Sequence, residues 1–261
     1  MIRALSTAAT GMEAQQTRLD VTANNIANTS TAGFKKSRAE FSDLMYQTQR
    51  APGAATGAGT EAPTGLQVGM GVRTVATQRM HGQGAMRQTS APLDVAIEGR
   101  GFYQINLPSG EVAYTRDGAF KINAEGQLVT AEGYTLGGDI SISPDAQSIT
   151  IGADGTVSVV VPGEATPVEA GQIQVAAFAN ESGLESMGRN LYRETSASGA
   201  AVVGVAGENG TGSLAQGSLE MSNVNVVEEM IDLISGQRAY EINSRVIKAA
   251  DDMLAQTANL K

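Results

Sequence analysis

Cysteine and tryptophan are absent from this chain of 261 residues, and histidine occurs once. The lack of cysteine excludes disulfides, thiolate metal sites and cysteine nucleophiles together. A Ser-His-Asp triad or a histidine-based metal site would rest on His81 alone. That residue lies in Met80-His81-Gly82-Gln83-Gly84, a polar, glycine-flanked turn without acidic neighbours, and is expected to face solvent. Aromatic residues make up 4% of the chain against 31 glycines, which suits an extended, turn-rich β protein better than an α/β enzyme with a large core. Basic charge is in deficit: the formal net charge of -9 disfavours nucleic acid or an anionic membrane, since both need a basic footprint. Long apolar runs are missing too. No segment approaches the roughly 18 residues of a membrane span, so no direct membrane insertion is expected. The first twenty residues carry Arg3, Glu13, Arg18 and Asp20 and lack the apolar stretch of a secretory signal.

Signals of chemistry are equally weak. The glycine run from Gly204 to Gly212 lacks the Lys-Ser/Thr of a phosphate loop, and reads as a flexible connection. Gly69-Met70-Gly71 lacks the third glycine of a dinucleotide fingerprint. The acidic pairs Glu228-Glu229 and Asp251-Asp252 are neighbours on a helix and point about 100° apart, so they do not converge as an acid/base pair. Glu228 and Glu229 instead complement the dipole of a first helical turn. No catalytic, cofactor-binding or metal-ligating residue is assigned, no cofactor is expected, and the chain reads as a non-enzyme.

What the sequence does hold lies at its two ends. Ile2, Leu5, Ala9, Met12, Gln16, Leu19, Ala23 and Ile26 recur at spacings of three and four, the a/d pattern of a coiled-coil seam. Near the other end, Asn225 and Glu228 make a capping-box-like helix start. Val226, Met230, Leu233, Gln237, Tyr240, Ile247 and Leu254 then continue the same spacing. A neighbouring stripe adds Val227, Ile231 and Ile234, then Ile242, Val246 and Met253. Two stripes give this helix more apolar surface than one partner covers. The expected subunit-packing residues are therefore Leu5, Met12, Leu19 and Ile26 with Val226, Met230, Leu233, Tyr240, Ile247 and Leu254.

Between the helices, turn signals recur every ten residues or so, as in an antiparallel β domain. Asp117-Gly118 and Asp154-Gly155 favour type I′ turns, and Pro108-Ser109-Gly110 and Glu125-Gly126 mark others. Strands are expected at Leu93 to Ile97, Phe102 to Leu107, Ser148 to Ile151, Thr156 to Val161 and Gln172 to Phe178. Residues 47 to 71, rich in glycine and proline, read as a long excursion away from any core, and Gly199 to Gly217 as a second one. The expected fold is α+β, with the terminal helices paired as a coiled-coil stalk, a central antiparallel β domain and a long hairpin-like excursion. In sequence order this gives an N-terminal helix (1–30), a linker with the excursion (31–92), a β-rich domain (93–220) and a C-terminal helix (221–261).

Two stretches carry a resemblance. Ala23-Asn24-Asn25-Ile26-Ala27-Asn28-Thr29-Ser30-Thr31-Ala32-Gly33-Phe34-Lys35 resembles the N-terminal signature of flagellar rod and hook proteins. Ser222-Asn223-Val224-Asn225-Val226-Val227-Glu228-Glu229-Met230, with Gln237-Arg238-Ala239-Tyr240-Glu241, resembles their C-terminal signature. The signature residues are Asn24, Asn25, Asn28, Gly33 and Phe34, then Asn223, Gln237, Arg238, Tyr240 and Glu241. Internal stretches such as Asp94-Val95-Ala96-Ile97-Glu98-Gly99 and Tyr114-Thr115-Arg116-Asp117-Gly118 are most similar to the distal-rod branch of that family. The resemblance implies a structural subunit that leaves the cytoplasm without a cleaved signal and polymerises helically into a rigid, periplasm-spanning tube. That tube would transmit torque to the hook, with the terminal helices inside and the β domain outward. It further implies the partners: further copies of the chain, proximal rod proteins, the hook protein, the P-ring and L-ring proteins and the flagellar export apparatus. A proximal rod or hook component of the same family is the nearest alternative, and a secreted β-rich adhesin a more distant one. Asn24, Asn25 and Asn28 are expected to satisfy backbone groups where the first helix gives way to the turn before Gly33, and Gln237, Arg238 and Glu241 to contact neighbouring subunits.

Overall fold

The computed structural model describes residues 2–53, 55–57, 60–138, 140–162, 166–208 and 210–259. The fold is α+β, with one helix near each end of the chain and antiparallel strands between them. Two compact units form, and neither is continuous in sequence. One holds Met1–Ala27, Ser37–Gln78 and Asn225–Lys261; the other holds Asn28–Lys36 and Arg79–Val224.

The helical unit contains α1, Ile2–Ala27, and α2, Val226–Asn259. The Asn225 side chain caps α2 by accepting the Val227 amide at 3.1 Å. At 34 residues α2 is about 50 Å long. In the same unit, Ser37–Asp43 pairs with Val72–Arg79, and Tyr46–Arg50 pairs antiparallel with Leu66–Gly69. Every residue of Tyr46–Arg50 is exposed, and this strand and Leu66–Gly69 form a two-stranded ladder. Ala54, Ala58 and Gly59 of the expected excursion lie outside the described residues.

The β unit is built on strand Phe102–Asn106. On one edge it pairs with Val112–Thr115, and on the other with Thr135–Leu136 and Gln174–Ala177. Side chains alternate across it. Tyr103 and Ile105 enter a large core with Val95, Ile97, Phe120, Val157, Ile173 and Val175, whereas Phe102 enters a smaller cluster with Tyr114, Phe178 and Tyr192. The strands expected from the sequence form at Val95–Glu98, Phe102–Asn106, Ser148–Ile151, Thr156–Val160 and Gln174–Ala177. The expected excursion at Gly199 to Gly217 does not form. Val202–Val205 pairs with Gln174–Ala177, and Ser213–Gln216 pairs with Val95–Glu98, burying Leu214. Glycines there concealed a core strand, because the apolar content of one buried position is too small to set a pattern.

The turn chemistry also differs from expectation. In the hairpin from Ser148–Ile151 to Thr156–Val160 only Gly155 has positive φ (+89°), while a type I′ turn needs two such residues. Gly155 N–H donates to Gly152 O, and Gly152 N–H to Thr156 O, which is a type I turn closed by a left-handed glycine. The turns at Leu107–Glu111, Asn123–Gln127 and Thr130–Tyr134 repeat this bonding. Gly118 is not a left-handed turn residue. A Cβ there would lie 1.7 Å from Val95 O, so the glycine permits strand Val95–Glu98 to approach, with Val95 N–H donating to Gly118 O at 3.0 Å.

These two uses of glycine separate experimentally. Gly133 has φ +88° and nothing within 4 Å of its missing Cβ, so Gly133→Ala is expected to cost about 1 kcal/mol through backbone strain alone. Gly118→Ala is expected to cost about 3 kcal/mol or more, because it separates two core segments. Urea unfolding midpoints of the two variants measure the difference.

Candidate functional site

Two segments far apart in sequence meet inside the β unit. Strand Ser218–Glu220 pairs with Met86–Gln88, and Gly33 N–H donates to Glu220 O at 2.8 Å. Gly33 has φ +68°, and a Cβ on it would stand 2.7 Å from the Arg116 and Asp117 backbone, so the signature glycine is fixed by both conformation and space. Next to it Lys35, Arg116 and Glu220 are all but fully buried. Glu220 Oε1 accepts from Lys35 Nζ at 2.6 Å and from Gly84 N–H at 2.7 Å, and its Oε2 accepts from Arg116 Nε at 2.5 Å. Arg116 spends its remaining donors on the carbonyls of Ile97, Gly99 and Gly101, and Lys35 donates also to Gly82 O at 3.0 Å. Burial alone would raise the Glu220 pKa, but Arg116 and Lys35 outweigh it and hold the carboxyl below its ordinary range. Burial lowers the Lys35 pKa against the pull of Glu220.

Asn223 completes this clasp. Its Oδ1 accepts from Lys36 N–H at 2.7 Å, and its Nδ2 donates to Met80 O at 2.8 Å and Gly82 O at 3.0 Å. One side chain therefore ties two other backbone segments to its own with every polar atom used. Phe34 is buried, and the Arg79 guanidinium lies over both its ring (5.6 Å) and that of Tyr192 (5.5 Å). His81 belongs here too, contrary to the expected exposed position. It is half-buried, with edge contacts to Phe102 at 5.4 Å and Tyr192 at 5.5 Å. Its sequence neighbours turn backbone groups to the clasp, and the Gln83 side chain joins them by donating to Ile97 O at 3.3 Å and accepting from Gly99 N–H at 3.2 Å. Asn28 is half-buried and accepts from the Thr31 hydroxyl at 3.2 Å. Asn190, in a turn where both Arg189 and Asn190 have positive φ, donates to Ala32 O at 3.0 Å.

In the helical unit Asn25 plays the part that Asn223 plays in the other. It is buried, exchanges two hydrogen bonds of 2.9 Å with the Ser37 backbone and donates to Glu229 Oε2 at 3.1 Å. Glu229 is accordingly buried, rather than only a charge at a helix start. Asn24 is exposed. The two helices run antiparallel, since Asn25 meets Glu229, Arg18 meets Asp232 (2.6 Å), Leu19 meets Gly236 and Gly11 meets Asn243. The seam lies one residue before the expected stripe on α1 and is made of small and polar side chains, including Ala8, Gly11, Thr22 and Asn25. On α2 it includes Glu229, Gly236, Ala239, Asn243 and Ala250. Small residues allow the helix axes to approach closely.

The expected packing residues consequently flank the seam. Leu5, Met12, Leu19 and Ile26 are half-buried, as are Leu233, Ile247 and Leu254. Val226, Met230 and Tyr240 are exposed, and so are Gln237, Arg238 and Glu241. The second stripe is barer still, with Val227 at 66% and Ile231 at 62% exposure, accompanied by Ile234, Ile242, Val246 and Met253. Single exposed apolar residues are ordinary, whereas these recur along one side of α2, interrupted by the exposed Arg238.

Nothing in the sequence pattern marks Lys35, Arg116 and Glu220 as partners, because the ion pairs join residues 185 and 104 positions apart. Each reads alone as a surface charge. The side chains gathered here hold backbone segments of the β unit against one another. Among the described residues no group of three His, Asp or Glu side chains is placed to hold a metal, and no helix is long and apolar enough to cross a membrane. Removing the shared carboxylate is expected to be severe: Glu220→Gln leaves Lys35 and Arg116 buried without a counter-charge, at a cost of about 3–5 kcal/mol. By contrast Asp232→Asn, at the half-exposed Arg18 pair, is expected to cost under about 1 kcal/mol. Denaturant unfolding of both variants checks the contrast.

Comparison with known proteins bears on the same regions. Residues 5–35 match the family described as Flagella basal body rod protein, and residues 215–260 match Flagellar basal body rod FlgEFG protein C-terminal. Residues 96–159 match Flagellar hook protein FlgE/F/G D1 domain. The flagellar basal-body rod protein FlgG of Buchnera aphidicola from Acyrthosiphon pisum is 50% identical over 260 residues, covering both chains completely. The protein of the same description from Caulobacter vibrioides is 50% identical over 261 residues, again over both full lengths. That from Bacillus subtilis is 43% identical over 266 residues. The chain belongs to the FlgG family of flagellar basal-body rod proteins.

Proposed function

We propose that this rod subunit polymerises helically into the distal rod, a rigid tube that spans the periplasm and carries motor torque to the hook. The observation that carries this reading is the bare face of α2: Val227, Ile231, Ile234, Ile242, Val246 and Met253 leave a long apolar strip uncovered by α1. A surface of that kind is covered when copies pack side by side, and a contact between two different faces repeats without closing, which generates a helical polymer. In the tube the helices form an inner coiled-coil layer, in which Leu5, Met12, Leu19 and Ile26 meet Val226, Met230, Leu233, Tyr240, Ile247 and Leu254 of neighbouring copies. Gln237, Arg238 and Glu241 supply polar contacts between copies. Proximal rod proteins lie below, the hook protein above and the P-ring and L-ring proteins around the shaft, with delivery through the flagellar export apparatus.

Paired substitution on the bare strip separates assembly from folding. Ile231→Asp with Ile234→Asp is expected to leave the circular dichroism spectrum and unfolding midpoint of the monomer nearly unchanged and to abolish sedimentable polymer. Polymer formation at the unaltered level would overturn the assembly role of α2.

The ladder of Tyr46–Arg50 and Leu66–Gly69 gives the tube its stiffness in this reading. It is a projecting element with little of its own core, suited to lie across an adjacent copy and block sliding between strands of the tube. Deleting residues 47 to 65 is expected to yield a polymer that bends under electron microscopy. A straight rod from the deletion variant would refute the bracing role.

A further inference from the structure

His81 is the chain's single histidine, and it occupies the middle of the clasp in the β unit. The backbone on either side of it is the receiving surface for both chain-end segments. Met80 N–H donates to Lys36 O at 2.9 Å, Met80 O accepts from Asn223, and Gly82 O accepts from both Asn223 and Lys35. Two residues on, Gly84 N–H donates to Glu220. The imidazole is seated between the edges of Phe102 and Tyr192, and its Nδ1 is buried with no hydrogen-bond partner. In the neutral ring with its proton on Nε2, that nitrogen is an acceptor left unsatisfied. In the imidazolium it would be an N–H aimed at no acceptor, inside an aromatic seat. The charged groups around the ring make this worse. Lys35, Arg79 and Arg116 all oppose a second positive charge, and the one acid that favours it, Glu181, is already paired with Arg100 at 2.8 Å.

We propose that His81 is an acid-sensitive latch. Uptake of a proton from solvent at Nδ1 expels the ring from its seat and frees residues 80–84, releasing the Lys35, Asn223 and Glu220 contacts those residues carry. The electrostatics agree with the geometry: burial above all pushes the His81 pKa down from 6.5 to about 4, opposed by Glu181, which acts more strongly than any single cation, and aided by Lys35, Arg79 and Arg116. The folded value lies below the unfolded one, so the unfolded chain binds more protons in between. The stability that a neutral His81 contributes is complete above pH 6.5 and is lost as pH falls towards 4. At pH 5 this linkage amounts to about a 30-fold loss in the folding equilibrium constant. The device is independent of the assembly reading, since the unassembled subunit carries it entire.

Because the chain has one histidine, its ring resonances in proton NMR of the full-length subunit are unambiguous. They are expected to titrate near pH 4 while the protein remains folded. Amide protection at Gly84 and Lys36, corrected for intrinsic exchange, is expected to fall between pH 7 and pH 5. Over the same range the folding constant of the unaltered chain should drop about 20-fold more than that of His81→Phe, which fills the seat and cannot be protonated. A ring titrating between pH 6 and 7, or pH profiles of the two proteins that run parallel, would overturn the latch. Should His81→Phe fail to fold, ring titration and amide protection in the unaltered protein decide the matter.

Discussion

A single carboxylate, Glu220, stands between two cations in a site from which water is excluded, and three segments of the β unit are held by it at once. Lys35 closes the N-terminal signature, Arg116 comes from the strand-to-turn region beside the core, and Glu220 from the strand that precedes the C-terminal signature. Each ion alone would be too costly to bury, and the arrangement is stable only when all three are present together. Around that fixed point the other features become necessary. Gly33 must lack a side chain to pass Arg116, and Gly84 must offer its amide to Glu220. Asn223 must bond the Lys36 amide and two carbonyls at the same time.

The helical unit solves the same problem of joining distant segments with a different balance of forces. Its seam uses Ala8, Gly11, Gly236 and Ala250, which bring little apolar area, and the polar pair Asn25–Glu229, which fixes register. Burial of large side chains is what drives association most strongly, and those side chains are the ones left beside or outside the seam. An ordinary helical hairpin would place Ile231, Ile234, Val246 and Met253 inward. Here the intramolecular contact is specific and thin, and those large apolar side chains stay exposed.

The legibility of the sequence followed from this division. Helix positions were plain, because three-and-four spacing persists whichever face is buried; α1 spans Ile2–Ala27, and α2 begins at Val226, directly after the Asn225 cap. Which face meets which was not plain. The apolar stripe predicts a seam on Leu5, Met12 and Leu19; Leu19 does meet Gly236, but the most buried positions of α1, among them Ala8, Thr22 and Asn25, fall one residue earlier, where size rather than hydrophobicity decides. Strands with alternating or continuous apolar runs were found, but Ser213–Gln216 was hidden by flanking glycines. His81 was misjudged for a related reason: local polarity describes side chains, while the groups of residues 80–84 that matter are backbone carbonyls and amides. Lys35, Arg116 and Glu220 carry no local signal at all, since a buried ion cluster is defined only by contacts across the fold.

In most soluble proteins a buried polar group and a broad exposed apolar face are each exceptions that need a reason. This chain has both, and together they describe a part built for assembly. Polar contacts have strict geometry and so are suited to holding the subunit in one conformation, even at little net gain in stability. Apolar contacts tolerate small changes of angle and reward area, so they suit an interface repeated along a rod under torque. Were the two exchanged, with Ile231 and its neighbours inside and the charged clasp outside, the subunit would be more stable alone and have nothing left to polymerise with. The placement of polar groups within and apolar groups without is thus the physical form that the rod function takes in this sequence.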